Sequence, residues 1–317
     1  MMTHLVSVII PNYNHAPYLK QRIDSVLGQT FQDFEVIILD DLSPDNSKEI
    51  IEQYRNHPKV SHIIYNEENS GSTFKQWKKG IDLAKGEWVW IAESDDWCEN
   101  SFLENLINLS QKHPSVGLAY CSSVFFNESD NSLAPQIATK NISEFILSKD
   151  FIHHKLIPFN GIVNASAVIF KKALYYKVSN YYTSFKLAGD WIFWAEISQM
   201  ADVAICGKFL NYFRQHDIKV SMHSLKNGFN YKEEIDTLKY FKNTLGVSEE
   251  VYSQSLVKQY LRFKYNKFPF NEGVIDRTEK LFQETLSLSQ RKEIRKIDLK
   301  NKLEYKYLPK FLKLFFK

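Results

Sequence analysis

Two pairs of adjacent carboxylates close short apolar runs: Asp40-Asp41 follows directly on residues 34–39, and Asp95-Asp96 follows residues 88–92 after Glu93 and Ser94. Adjacent carboxylates repel one another unless a cation or hydrogen-bond donors neutralise them. Mg²⁺ and Mn²⁺ take few protein carboxylates and complete their shells with water and phosphate oxygens. Asp95-Asp96 therefore suits a cation that bridges protein to a diphosphate and acts on it as a Lewis acid. The plain alternative is that Asp96 caps the helix that follows. At Asp40-Asp41 a carboxylate can accept a hydrogen bond from the imino N–H of uracil, thymine or guanine; a turn or cap built by Asp and Ser is the competing reading. Asp190 opens an aromatic-rich segment (Trp191, Phe193, Trp194). A carboxylate there can act as general base for a hydroxyl or as an ordinary N-cap, and local sequence alone favours the cap. Arg214 and His216, one residue apart after the run 209–213, can point the same way from an extended segment toward phosphate or metal.

The elements around these residues alternate. Residues 5–10, 34–39, 60–65, 88–92 and 116–121 are short apolar runs of strand character. Between them, 18–29, 47–54, 73–84 and 102–111 carry apolar residues at helical spacing. Strands separated by such helices predict βαβ units and a parallel sheet, and ligands of such sheets bind at the strands' carboxyl ends. Both Asp pairs sit at such ends. Further on, 164–170 reads as a strand, 190–200 as a helix and 203–213 as one or two strands. The turn after the first strand, Pro11-Asn12-Tyr13-Asn14-His15, has no glycine, which argues against a dinucleotide fold and against the triphosphate loop of a nucleotidylyltransferase.

Composition narrows the classes. Of 317 residues 44% are hydrophobic and 24% charged, with only 11 Gly and 9 Pro, so a large core is expected and a disordered linker is not. Cys98, Cys121 and Cys206 are dispersed, which predicts buried reduced thiols rather than a disulfide framework or cysteine zinc site. The net charge of +3 comes from the tail: residues 291–317 hold ten Lys or Arg against three Asp or Glu, so the rest of the chain is slightly acidic. Nucleic acid is therefore not the expected partner. The chain starts almost at once in a strand pattern and has no apolar run of spanning length, so a cytoplasmic location is expected.

The ordered string Val6-Ser7-Val8-Ile9-Ile10-Pro11-Asn12-Tyr13-Asn14, Gln29-Thr30-Phe31, Asp33-Phe34-Glu35-Val36, Asp40-Asp41-Leu42-Ser43, Asn69-Ser70-Gly71, Ala84-Lys85-Gly86-Glu87 and Ser94-Asp95-Asp96 resembles family 2 glycosyltransferases. The resemblance covers roughly residues 4–222. It implies an α/β fold of the GT-A type, an αβα sandwich on a mostly parallel mixed sheet, and an inverting transfer from a nucleotide-sugar donor, with UDP as preferred carrier. By this resemblance Pro11, Tyr13 and Asn14 line the nucleotide pocket, Asp41 meets the base, and Asp95 faces ribose and diphosphate. Asp96 holds Mn²⁺ or Mg²⁺, Asp190 is the base, and Arg214 and His216 close over diphosphate and metal. Two positions depart from the pattern. Gln76-Trp77-Lys78 stands where many relatives carry an Arg-Asn pair, with Lys75 or Lys78 as substitutes, and Gly189-Asp190 where they often have Glu-Asp. A degenerate relative that binds nucleotide-sugar without turning it over is the alternative reading.

The expected division is a catalytic domain over 1–222 and a helical extension over 223–317. At its end Lys306, Lys310, Lys313 and Lys317 share one helical face, with Phe311, Leu312, Phe315 and Phe316 on the other. That composition fits an anionic membrane surface, which would bring the enzyme near a lipid-linked or saccharide acceptor; packing of those aromatics on the catalytic domain is the alternative.

Overall fold

The computed structural model describes residues 4–216, 226–266 and 269–307. The chain divides into two compact units, Met1–Val220 and Ser221–Lys317. The first unit is built on ten strands: β1 (Val6–Asn12), β2 (Phe34–Asp40), β3 (Val60–Tyr65), β4 (Trp88–Ile91), β5 (Trp97–Cys98), β6 (Val116–Asn127), β7 (Ser132–Gln136), β8 (Ser143–Ile146), β9 (Val168–Lys171) and β10 (Asp202–Gln215). Their order is β3-β2-β1-β4-β9-β6-β10-β5, with β7 on β6 and β8 on β10. β1, β2, β3 and β4 are mutually parallel, and β9 runs against both β4 and β6. β10 is parallel to β6.

Why β1 and β2 are interior strands of the sheet is visible in their residues. Both are buried along their whole length, and β-branched runs without polar alternation suit a strand covered on both faces. Four helices follow the first strands: α1 (Ala16–Leu27), α2 (Ser47–Glu52), α3 (Thr73–Leu83) and α4 (Phe102–Gln111). α1 buries Leu19, Ile23 and Val26, and α3 buries Phe74, Trp77 and Ile81, each an apolar stripe at helical spacing. Short turns α5 (Ser148–Phe151), α6 (Ile157–Phe159) and α7 (Lys172–Tyr175) precede α8 (Gly189–Met200), whose Trp191, Phe193 and Trp194 are all in the core. All three cysteines are free and buried.

One contact fixes how closely the chain returns to β1. Gly86 N–H donates to Ser7 Oγ at 2.8 Å, and a Cβ on Gly86 would lie 2.5 Å from Ser7 N and 2.6 Å from the Val6 carbonyl carbon. That neighbour is central-strand backbone and cannot yield. Gly86→Ala is therefore expected to destabilise by about 3 kcal/mol, the upper end of overpacking costs. Thermal unfolding should show a midpoint lower by roughly 6–12 °C.

Three elements differ from what periodicity suggests. The segment 203–213 is one strand, lengthened at both ends, whose register shifts near Cys206 and Phe209 absorb the break in the pattern. The run 164–170 begins as a turn: Asn164 Oδ1 accepts from Ser166 N–H and caps a short 3₁₀ segment, Ala165–Ala167, before β9 starts. β7 carries almost no buried residue and contains Pro135, so an edge strand of this kind leaves no alternation to read.

The second unit comprises α9 (Phe229–Thr244), α10 (Glu249–Lys264), α11 (Val274–Thr285) and α12 (Leu288–Tyr307). Ser248 Oγ caps α10 by accepting from Val251 N–H. Tyr231, Phe263 and Phe282 form its aromatic centre, with ring centroids 5.3 Å apart for Tyr231–Phe263 and 5.7 Å for Phe263–Phe282. Among the described residues no helix is long and apolar enough to cross a membrane. The side chains of the expected lysine and phenylalanine faces at 306–317 lie outside the described residues.

Candidate active site

The carboxyl ends of β1, β2, β4 and β10 open on one edge of the sheet, and the loops there carry Asn12–His15, Asp40–Ser43, Glu93–Asp96 and His216. On the β2 side Asp41 is the focus, only 4% exposed. Its Oδ1 accepts from Asn66 Nδ2 at 2.5 Å, Ser70 N at 2.9 Å and Gln76 Nε2 at 2.9 Å, while Oδ2 accepts from Ser70 Oγ at 2.7 Å. Lys79 Nζ in turn holds Asn66 Oδ1. Gln76 Oε1 is buried with no hydrogen-bond partner among the described residues. Gln76 thus occupies the place where Lys75 or Lys78 was expected. Among the described residues Lys75 Nζ donates to the Ser70 carbonyl at 3.2 Å, and Lys78 pairs with Asp82 at 2.7 Å on its own helix.

Asp40 does not join this group. Its carboxylate accepts from Asn12 Nδ2, Ser43 N and Ser43 Oγ, so it ties the β1 and β2 loops together. Between these loops Pro11 is buried, Tyr13 is 48% exposed, and Asn14 N–H donates to Ser43 Oγ. Asn14 and Leu42 both adopt left-handed backbone, at φ 58° and 62°. Left-handed φ costs a non-glycine residue about 1–2 kcal/mol, and Leu42 bears it with its side chain half in solvent.

On the β4 side the two adjacent carboxylates have separate fates. Asp96 is 1% exposed. Its Oδ2 accepts from Asn164 Nδ2 at 2.8 Å and Ser166 Oγ at 2.7 Å, its Oδ1 from Arg214 N–H at 3.0 Å, and Arg22 lies 4.0 Å away. Asp96, expected as a metal ligand, thus has both of its oxygens engaged by the protein's own donors. The Asp95 side chain is the more open of the two, 12% exposed against 1%, with its Oδ2 3.1 Å from His216 Nε2. Arg22 Nε and Arg214 Nε grip the carbonyls of Glu93 and Asp95, so two arginines hold the acidic loop from beneath.

Arg214 was expected at a diphosphate. Its guanidinium instead stacks within 4.6 Å of the Tyr18 ring centroid and 4.7 Å of Trp97, and donates to Gln21 Oε1. It is a buried anchor. His216 is buried as expected of a ligand, and with Asp95 and His15 it forms a group whose ligating atoms lie within 4.8 Å of one another. Two imidazoles and a carboxylate at that spacing fit a divalent cation. Glu93 completes the loop. Burial and the neighbouring Asp95 carboxylate push its carboxyl up to about 8, against the pull of the Trp77 Nε1–H bond at 2.7 Å.

Asp190 lies in the first turn of α8, which packs on α3 through Gly189. Gly189 is so close to Phe74 that a Cβ would sit 2.6 Å from its ring, and Phe74 contacts Trp77, which bonds Glu93. The chain of contacts sets the first turn of α8 beside α3 and the acidic loop. Asp190 Oδ1 accepts from the N–H of its neighbour Trp191 at 2.7 Å, but the N-cap position of α8 is Ala188 and carries no side-chain cap, so the N-cap reading of Asp190 is corrected: it sits inside the first turn. Glu93, His15 and Gln76 are the site residues that sequence reasoning passed over. Only Gln76 left a signal there, as a departure from its relatives' pattern.

A profile of glycosyl transferase family 2 matches residues 7–176, more than half of the chain. GlyG, a glycosyltransferase of Streptococcus pneumoniae, is 35% identical over 111 residues, 35% of this chain and 36% of that protein. TuaG of Bacillus subtilis, a glycosyltransferase named for teichuronic acid biosynthesis, is 39% identical over 100 residues, 32% of this chain and 39% of its own. The chain thus matches little more than a third of either relative's length. Among solved structures, S. aureus TarS in complex with UDP-GlcNAc superposes with a TM-score of 0.64 at 22% identity, over 83% of this chain and 73% of that one. The mixed sheet with its acidic rim is a GT-A fold, and the chain belongs to glycosyl transferase family 2.

Proposed function

We propose that the chain is an inverting glycosyltransferase that moves a sugar from a nucleoside diphosphate, UDP by preference, to a hydroxyl of a saccharide or lipid-linked acceptor in cell-surface polysaccharide synthesis. The observation that carries this reading is the pairing, on one rim, of the Asp41 network with the His15–Asp95–His216 group. Gln76 Oε1, buried and unpartnered among the described residues, and Asp41 Oδ2 provide acceptors for an imino N–H of the base. TarS with UDP-GlcNAc supports a uridine carrier, and TuaG supports a surface polymer as product.

A divalent cation held by Asp95 and His216 would offset charge on the departing diphosphate. The side chains do the rest. Asp190 takes the proton of the acceptor hydroxyl as that oxygen bonds to the anomeric carbon, the bond to the diphosphate oxygen breaks, and the nucleoside diphosphate leaves. A single carboxylate with no covalent intermediate inverts the centre. Gripped by Arg22 and Arg214, the acidic loop keeps its shape while charge redistributes above it.

The test is release of UDP from UDP-sugars by the purified chain with Mn²⁺, alongside thermal stabilisation by UDP, GDP and dTDP. Metal-dependent release, with UDP raising the midpoint most, is expected. Failure of every nucleoside diphosphate to stabilise the protein with Mn²⁺ present would sink the reading.

A further inference from the structure

We propose that His15 is a metal ligand, so that His15, Asp95 and His216 hold a first-row transition cation and discriminate against Mg²⁺. This rests on the cation-dependent reading above and names the third ligand and the metal class. The three side chains come from the loop after β1, the loop after β4 and the end of β10, and their ligating atoms converge within 4.8 Å. Metal–ligand bonds of about 2.1 Å at right angles put neighbouring donors about 3 Å apart. The observed separation of His216 Nε2 and Asp95 Oδ2 is 3.1 Å. A plain hydrogen bond has that length too, so the case turns on His15.

The His15 ring is held in place. Its Nδ1 is hydrogen-bonded to Ser94 Oγ at 2.8 Å, the kind of outer contact that orients a ligating imidazole through its other nitrogen. Ser94 stands next to Asp95, so one loop supplies both the carboxylate ligand and the partner that aims the imidazole. The two imidazoles meet edge to face, 5.7 Å between centroids at 88°. Mg²⁺ prefers an all-oxygen shell and gives up water reluctantly. Imidazole donors favour the later divalent ions, with affinity rising from Mn²⁺ toward Cu²⁺. Two nitrogens among three protein ligands thus shift preference away from Mg²⁺, and the open coordination positions are left for water and diphosphate oxygens.

The experiment measures cation binding directly on the full chain, with and without UDP. Free Mn²⁺ is read by electron paramagnetic resonance, Co²⁺ by visible absorption, and Mg²⁺ by competition. We expect Mn²⁺ to be retained against a tenfold excess of Mg²⁺. His15→Ala should weaken Mn²⁺ at least about tenfold, the lower end of what even outer-shell changes cost. Pulsed resonance should show nitrogen coupling from two imidazoles falling to one. His15→Asn, which keeps a hydrogen-bonding group toward Ser94, should lose the same coupling while its unfolding midpoint matches wild type. Equal Mn²⁺ affinity in wild type and both variants, or displacement by equimolar Mg²⁺, overturns the proposal. Two-imidazole Mn²⁺ binding in a chain that no nucleotide stabilises would uphold it and refute the donor reading instead.

Discussion

Asp95→Asn is expected to lower metal-dependent turnover of the sugar donor by about a thousandfold and to leave the unfolding midpoint within a few degrees of wild type. Asp96→Asn, one residue on, should do most of its damage to the fold. A thousandfold corresponds to about 4 kcal/mol of barrier, within what charge stabilisation by a bound cation supplies. Asp95 turns its Oδ2 toward His216, so the amide removes a ligand charge. Asp96 is buried among Asn164, Ser166 and the Arg214 amide, with Arg22 beside it. Arg22 is itself fully buried, and its Nη1 and Nη2 have no hydrogen-bond partner among the described residues. Neutralising Asp96 leaves that guanidinium without its counter-charge, which costs about 3–5 kcal/mol and lowers the midpoint on the order of 10 °C. Donor-turnover assays and calorimetry on both variants decide it. An Asp96→Asn protein that melts like wild type yet has lost cation binding would return the metal to Asp96.

For Asp190→Asn the expected result is loss of transfer by about 10²–10⁴-fold, the usual contribution of a positioned general base. Binding of Mn²⁺ and UDP should be unchanged. Asparagine still accepts the hydrogen bond that Trp191 N–H makes, so the first turn of α8 keeps that contact and only proton acceptance is lost. Steady-state transfer rates, with isothermal titration of UDP and Mn²⁺, separate the two roles. Unimpaired transfer would remove Asp190 from the role of base.

Much of the scaffold was legible because β1, β2 and β4 are mostly apolar runs, with Ser7 and Glu35 as the interior exceptions, and α1, α3 and α4 carry clean stripes. The acidic residues at their ends were legible for the same reason. Which of two adjacent carboxylates is the more open was not. That depends on donors far away in sequence: Asn164 and Ser166 in a 3₁₀ turn, and the backbone of Arg214. His15 carries no spacing signal, since its partners arrive on other strands. Gln76 looked like a gap where a cation belonged, and only the contact with Asp41 reveals its role. Arg214 looked like a phosphate ligand because nothing in its neighbours foretells the rings that enclose it. β7 escaped notice because a solvated edge strand has no apolar face to betray it.

The left-handed Leu42, next in chain to Asp41, bears on how this protein can change. Glycine would keep that backbone and remove the strain, so a screen for heat tolerance would reach this codon early. The same replacement deletes the half-exposed side chain beside Asp41, the residue proposed to meet the base. Adaptation to temperature and retention of donor turnover therefore compete at a single position, a familiar tension where a binding rim holds backbone strain.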